Sequence, residues 1–128
     1  MPKGPDFICF GLQKAGTRWL YDQMAAADGV WMPPIKELNY FSGNTFKSAN
    51  LAAVAEYDSR SAEGEAAPEA DRRFFERFKQ GQVNGVDLNW YVDLFEPKDG
   101  LISGDISPEY AKMDRHQIEA TVRSCPDR

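Results

Sequence analysis

The chain predicts an α/β domain in which helices flank a parallel sheet, on three observations: an apolar run at residues 7–12, a glycine-containing loop leading into a helical repeat, and a further strand-like segment at residues 101–106. Phe7-Ile-Cys-Phe-Gly-Leu12 has strand length and is rich in aromatic and β-branched residues. Such a run suits a strand covered on both faces, so it reads as a central parallel strand. Thr17 is placed to cap a helix running to about Ala27, in which Leu20, Met24 and Ala27 recur at helical spacing and Asp28-Gly29 supplies the stop. Val30-Trp-Met32 reads as a short second strand. Pro33-Pro34 must end it, because proline donates no hydrogen bond to a ladder and biases its predecessor toward extended geometry.

Between residues 42 and 70 the composition shifts to Ala, Ser, Glu and Gly. That segment reads as a variable surface insertion with one helical stretch near residues 49–57. Residues 71–79 then carry Phe74, Phe75 and Phe78 on one helical face with charges opposite, so this helix should dock on the domain. A short helix is expected over residues 88–95. A third strand follows at residues 101–106, then a turn or helix start at Ser107-Pro108, and a last helix capped by Asp114 with Ile118 and Val122 on one face.

At 128 residues, with 42% hydrophobic and 12% aromatic content, the chain suffices for one domain with a real core. A net charge of -5 argues against a general basic field that would hold nucleic acid. Cys9 and Cys125 form neither a disulfide framework nor a metal-ligand cluster, which suits a reducing compartment and a site without metal. The apolar run near the N-terminus is too short for a signal segment or a membrane span. A cytoplasmic protein is the expectation.

The chemistry concentrates in Gly11-Leu-Gln-Lys-Ala-Gly-Thr-Arg18. Nucleotide phosphates need backbone amides converging at a helix N-terminus, a glycine permitting close approach, and a cation on the same loop. Gly16, Thr17 and Lys14 supply these parts. The spacing from Gly11 to Gly16 matches the start of a Walker A loop, but that motif continues with Lys-Ser/Thr, whereas Thr17 and Arg18 follow here. An ATP- or GTP-dependent phosphotransferase is thereby disfavoured. A tight strand-to-helix connection with an exposed lysine is the plain structural alternative.

Phe10-Gly-Leu-Gln-Lys-Ala-Gly-Thr-Arg-Trp-Leu20 resembles the 5′-phosphosulfate loop of sulfotransferases that use 3′-phosphoadenylyl sulfate. Two further stretches match in the same order. Lys36-Glu-Leu-Asn-Tyr-Phe41 is similar to the family's Lys/Asn-Glu-x-His-x-Phe stretch, and Gly104-Asp-Ile-Ser-Pro-Glu-Tyr110 to its Glu-Lys-Thr/Ser-Pro-x-Tyr stretch. Trp90-Tyr91 adds a likeness to the bacterial and heparan-type branch. The resemblance implies a P-loop-like three-layer sandwich and sulfuryl transfer to a hydroxyl or amine of a small-molecule or carbohydrate acceptor. It implies that Lys14, Ala15, Gly16, Thr17, Arg18 and Trp19 hold the cosubstrate, that Lys14 stabilises the leaving phosphate, and that Glu37 is the general base. The structural alternative for Glu37 is a solvated member of a Lys-Glu pair.

The match also has gaps. Ile106 stands where many relatives carry a lysine, and Asn39 where a histidine is frequent; Asn39 can hydrogen-bond a substrate but takes no proton at neutral pH. His116 reads as solvent-facing and receives no role. Relatives continue past a Cys-Pro-Asp turn into an Arg-x-Pro-x-x-Arg-x-x-Ser motif that grips the 3′-phosphate. Residues 1–128 therefore read as the N-terminal part of one incomplete sulfotransferase domain, and a non-catalytic remnant stays open as an alternative. Tyr40, Phe41, Trp90 and Tyr91 suit core packing better than a substrate cleft, and Arg72, Arg73, Arg77 and Lys79 alternate with acids as on a solvated helix face.

Overall fold

The computed structural model describes residues 4–9, 16–107, 110, 116, 119 and 123. Over these residues the chain is a mixed α/β structure with four α-helices and a two-stranded parallel sheet. Strand β1 (Phe7–Cys9) pairs with β2 (Gly104–Ile106) in the register Phe7 to Gly104, Ile8 to Asp105 and Cys9 to Ile106. Parallel pairing of segments this far apart in sequence requires a crossover, and helices α1 (Thr17–Ala26), α2 (Ser48–Ala62), α3 (Glu69–Asn84) and α4 (Leu88–Asp93) lie within it.

The expected second strand is reduced to one parallel bridge, Val30 to Ile102, flanked by Trp31 N–H donating to Ile102 O at 2.8 Å and Ile102 N–H donating to Gly29 O at 2.9 Å. Pro33 has no N–H with which to extend this ladder, and Trp31 turns its indole to Asp71, donating at 3.0 Å. A consequence is that the middle position among the described segments belongs to residues 102–106, with β1 on one side and Val30 on the other. The half-buried β1 is thus not the central strand of this group.

A partly buried ion pair fixes the start of the sheet. Lys98, in a short 3₁₀ turn at Glu96–Lys98, donates to Gly4 O at 2.7 Å and to the Asp6 carboxylate at 3.2 Å. Asp6 also accepts from Ser103 N–H at 2.9 Å. A lysine is tolerated at 6% exposure because both a carboxylate and a carbonyl face its ammonium.

Two apolar clusters form the core. The larger takes Phe74, Phe75 and Phe78 from the predicted face of α3 and joins them to Ile35, Leu38, Val54, Tyr91, Leu94 and Phe95. The smaller places Tyr21, Met32 and Ile106 beside Phe7, Leu20 and Met24. Each fully buried large apolar side chain contributes about 1.5–3 kcal/mol, so the α3 face anchors the helical layer. The segment expected as a surface insertion holds a helix longer than its composition suggested, and α2 buries Val54 in the larger cluster and Asn50 against the carbonyls of Glu37 and Thr45. The expected cap at Asp114, and Ile118 and Val122, lie outside the described residues; His116 is helical and exposed. Among the described residues no helix is long and apolar enough to cross a membrane.

Gly81 explains how α4 docks on α3. A β-carbon at Gly81 would sit 2.5 Å from the Trp90 indole, whose Nε1 donates to Arg77 O at 2.7 Å. Alanine in a helix gains roughly 0.8–1 kcal/mol over glycine, but overpacking costs about 1–3 kcal/mol. Gly81→Ala is therefore expected to lower the thermal unfolding midpoint, and a raised midpoint would contradict this packing.

Candidate functional site

The site begins at the N-terminus of α1. Gly16 is its N-cap, in the left-handed region at φ 85, a conformation that glycine adopts without steric cost. Thr17 is consequently the first helical residue and not the cap expected from the sequence, and no side chain caps the helix. The first turn contains no acidic residue either, so its amides and the positive end of the helix dipole suit an anion. Lys14 and Ala15 lie outside the described residues.

Residues 36–41 are held opposite this helix end by a buried polar network. The Asp105 carboxylate is enclosed and accepts three hydroxyl hydrogen bonds: from Tyr91 at 2.7 Å, Tyr110 at 2.8 Å and Ser107 at 2.6 Å. The hydroxyl oxygens then accept main-chain amides. Asn39 N–H donates to Ser107 Oγ at 3.0 Å, and Phe41 N–H to Tyr110 OH at 3.4 Å. Burial raises the Asp105 carboxyl above its ordinary value, and the hydroxyls of Ser107, Tyr91 and Tyr110 oppose that rise. Burial and then the neighbouring Asp105 raise the Tyr110 phenol, keeping it a neutral donor.

Asn39 takes a positive φ of 53, which asparagine tolerates better than most side chains. It is fully buried, and its side-chain amide donates to Glu37 O at 3.2 Å. Burial and this hydrogen bond put Asn39 within the turn that carries Glu37. From α2, Asn50 donates to the same Glu37 carbonyl at 2.9 Å and to Thr45 O at 2.8 Å. Two carboxamides thus fix the main chain of Glu37 while its side chain stays 43% exposed.

These elements enclose a cleft of about 380 Å³ whose lining includes Thr17, Arg18, Tyr21, Ile35, Glu37, Lys47, Asn50 and Ile106. Of the residues singled out from the sequence, Thr17, Arg18 and Glu37 come together here. Trp19 does not line the cleft; its side chain is 66% exposed. Ile106 presents an apolar wall at 2% exposure. Glu37 does form a Lys-Glu pair, but with Lys47, at 3.2 Å. Lys36 turns instead to Asp22 at 3.3 Å and over the Tyr21 ring at 5.5 Å.

Sequence reasoning missed Lys47, Asn50, Tyr21 and Asp105. Tyr21 donates its hydroxyl to Pro33 O and so ties α1 to the segment that carries Glu37; its phenol is raised, chiefly by burial. Its place next to Leu20 and three residues before Met24 was a legible helical-face signal, whereas nothing local marks Lys47 or Asn50. The basic residues of α3 are engaged as a solvated face requires: Arg72 pairs with Glu69 and Glu76, Arg73 and Arg77 with Glu96, and Lys79 with Asp58. Tyr91 is fully buried, and Tyr40, Phe41 and Trp90 pack against the larger cluster, as core residues should. Comparison of the chain with protein-family models, with curated proteins and with solved structures finds no match.

Asp105→Ala leaves three buried hydroxyls without their acceptor and is expected to cost about 3–5 kcal/mol in denaturant unfolding. The pH dependence has a definite sign. A carboxyl raised in the folded state contributes stability below its ordinary value of 3.8, and that contribution is lost as pH rises through the folded value. Asparagine at this position does not titrate. The stability of the wild type relative to Asp105→Asn should therefore fall between acidic and neutral pH, and a difference rising with pH would contradict the assignment.

Proposed function

We propose that this chain is part of a sulfotransferase of P-loop-like, three-layer architecture, which moves a sulfuryl group from 3′-phosphoadenylyl sulfate to a hydroxyl or amine acceptor. The observation that carries this reading is the shared cleft: the uncapped N-terminal turn of α1, with Thr17 and Arg18, faces the same space as the fixed Glu37. The residues fit an anionic cosubstrate. Gly16, Thr17 and Arg18 would cradle its 5′-phosphate with backbone amides, a hydroxyl and a guanidinium suited to bidentate contact with oxyanions. Lys14 would meet the negative charge that grows on the bridging oxygen as the phosphate departs.

Glu37 is the group suited to accept the acceptor's proton. It is half-exposed at the cleft wall, and its main chain is clamped by Asn39 and Asn50, so its carboxylate is presented without a large search. The first-turn amides and Glu37 come from two segments joined through Tyr21 and Pro33, which supports a single reaction centre. A second reading, a non-catalytic relative that binds nucleotide, draws support from Ile106, which puts an apolar side chain where a cation would help the transfer.

Two measurements test the proposal on the protein that carries this sequence. Adenosine 3′,5′-bisphosphate should raise its thermal midpoint far more than ATP does, and equal or absent shifts would count against the cosubstrate. Lys14→Ala and Glu37→Ala should each reduce sulfuryl transfer by about 10²-fold or more with folding retained. Full activity in the double variant would remove both residues from the mechanism.

A further inference from the structure

A second cavity, of about 350 Å³, lies between α2 and the start of α3. Pro34 and Ala53 line both this cavity and the cleft that holds Glu37, so a ligand passing from one to the other crosses an apolar, half-buried rim. Beyond the rim the lining changes character. Tyr57 and Phe75 stack at 4.3 Å between ring centroids and form an apolar wall. Among the described residues, the lining also carries the carboxylates of Glu56, Glu65 and Asp71 with the guanidinium of Arg60. Arg60 stands 2.8 Å from Glu56 and 3.8 Å from Glu65, and Asp71 is held by the Trp31 indole. Lys79 lies over the Tyr57 ring, paired with Asp58.

We propose that the second cavity is an acceptor subsite, which takes a protonated amine joined to the reacting hydroxyl by an apolar spacer. The inference rests on the sulfotransferase reading of the cleft. Three features stand in the order that such a molecule needs: Glu37 where the hydroxyl reacts, Pro34 and Ala53 along the spacer, and carboxylates beside an aromatic wall where the ammonium ends. In the transfer, the acceptor oxygen forms a bond to sulfur, its proton goes to the Glu37 carboxylate, and the bond from sulfur to the 5′-phosphate oxygen breaks with its electron pair on phosphate. The amine stays protonated at neutral pH, as a lysine does, and serves only for recognition. An ammonium gains charge-assisted hydrogen bonds from these carboxylates, whereas an anionic group there meets like charge. Glu56 and Glu65 belong to the segment whose composition marked it as an insertion, so acceptor choice is carried outside the elements that face the nucleotide.

Three acceptors of equal spacer length and opposite end charge test it: aminohexanol, hexanediol and hydroxyhexanoate, each supplied with 3′-phosphoadenylyl sulfate and the protein that carries this sequence. The kcat/KM for sulfuryl transfer should fall in that order. Replacing both exposed carboxylates, Glu56→Gln with Glu65→Gln, should lower the preference for aminohexanol over hexanediol about 5-fold and leave transfer to hexanediol in place, the size expected for solvent-screened charges. Glu76→Gln removes the same kind of charge from α3 outside the cavity lining and should leave the preference unchanged. An unaltered preference in the double variant, or an equal fall in Glu76→Gln, overturns the proposal. Transfer to none of the three by a protein that still binds adenosine 3′,5′-bisphosphate also overturns it and leaves the sulfotransferase reading standing. Failure to bind the bisphosphate overturns both.

Discussion

The enclosed carboxylate of Asp105 is the interaction on which the arrangement of the site depends. Removing a charged carboxylate from water costs several kcal/mol unless hydrogen bonds replace its hydration. Here three hydroxyls do so, from Tyr91 in α4 and from Ser107 and Tyr110 after β2. Each hydroxyl spends its proton on the carboxylate, which orients its oxygen as an acceptor. Two of those oxygens then hold the amides of Asn39 and Phe41. One buried charge thereby joins a strand end, a helix and the turn that presents Glu37.

The cleft also lies where the two apolar clusters meet. Ile35 belongs to the larger cluster and Tyr21 and Ile106 to the smaller, and all three line it. A cleft walled by two separately packed units keeps its shape without filling itself. The aromatic residues behind Glu37 extend this support: Tyr40 stacks on Tyr91 at 4.8 Å between ring centroids, and Phe41 meets Tyr91 edge-on at 5.0 Å. Tyr91 therefore carries the hydroxyl for Asp105 on one end and the ring platform for residues 40 and 41 on its faces. Its loss would disturb charge satisfaction and packing together.

What the sequence revealed follows from which forces are local. The face of Phe74, Phe75 and Phe78 was legible because helical periodicity and core burial coincide there. The strands at residues 7–9 and 104–106 were legible as segments, but their relative order was not, since pairing is decided by contacts nearly a hundred residues apart. Thr17 was misread as a cap because the preference for a hydroxyl yields here to the left-handed glycine before it. In the site, the α1 entrance was visible through its glycine spacing, and Glu37 only through the resemblance. Lys47 and Asn50 were not, because they sit in a segment whose Ala- and Ser-rich composition suggested a surface insertion, and only the docking of α2 turns them toward Glu37. Asp105 was hidden for a related reason: an acid within a short strand shows its partners only once Tyr91 and Tyr110 converge on it.

The central claim is that Asp105, through Ser107 and Tyr110, holds the turn that presents Glu37. Amide hydrogen exchange at Asn39 and Phe41 tests it most directly, because these two amides donate to hydroxyls that Asp105 orients. In Asp105→Asn both should exchange markedly faster than in the wild type, while the amide of Ile102, which donates to Gly29 in the sheet, changes much less. Unchanged exchange at Asn39 and Phe41 in a folded Asp105→Asn protein would contradict the account.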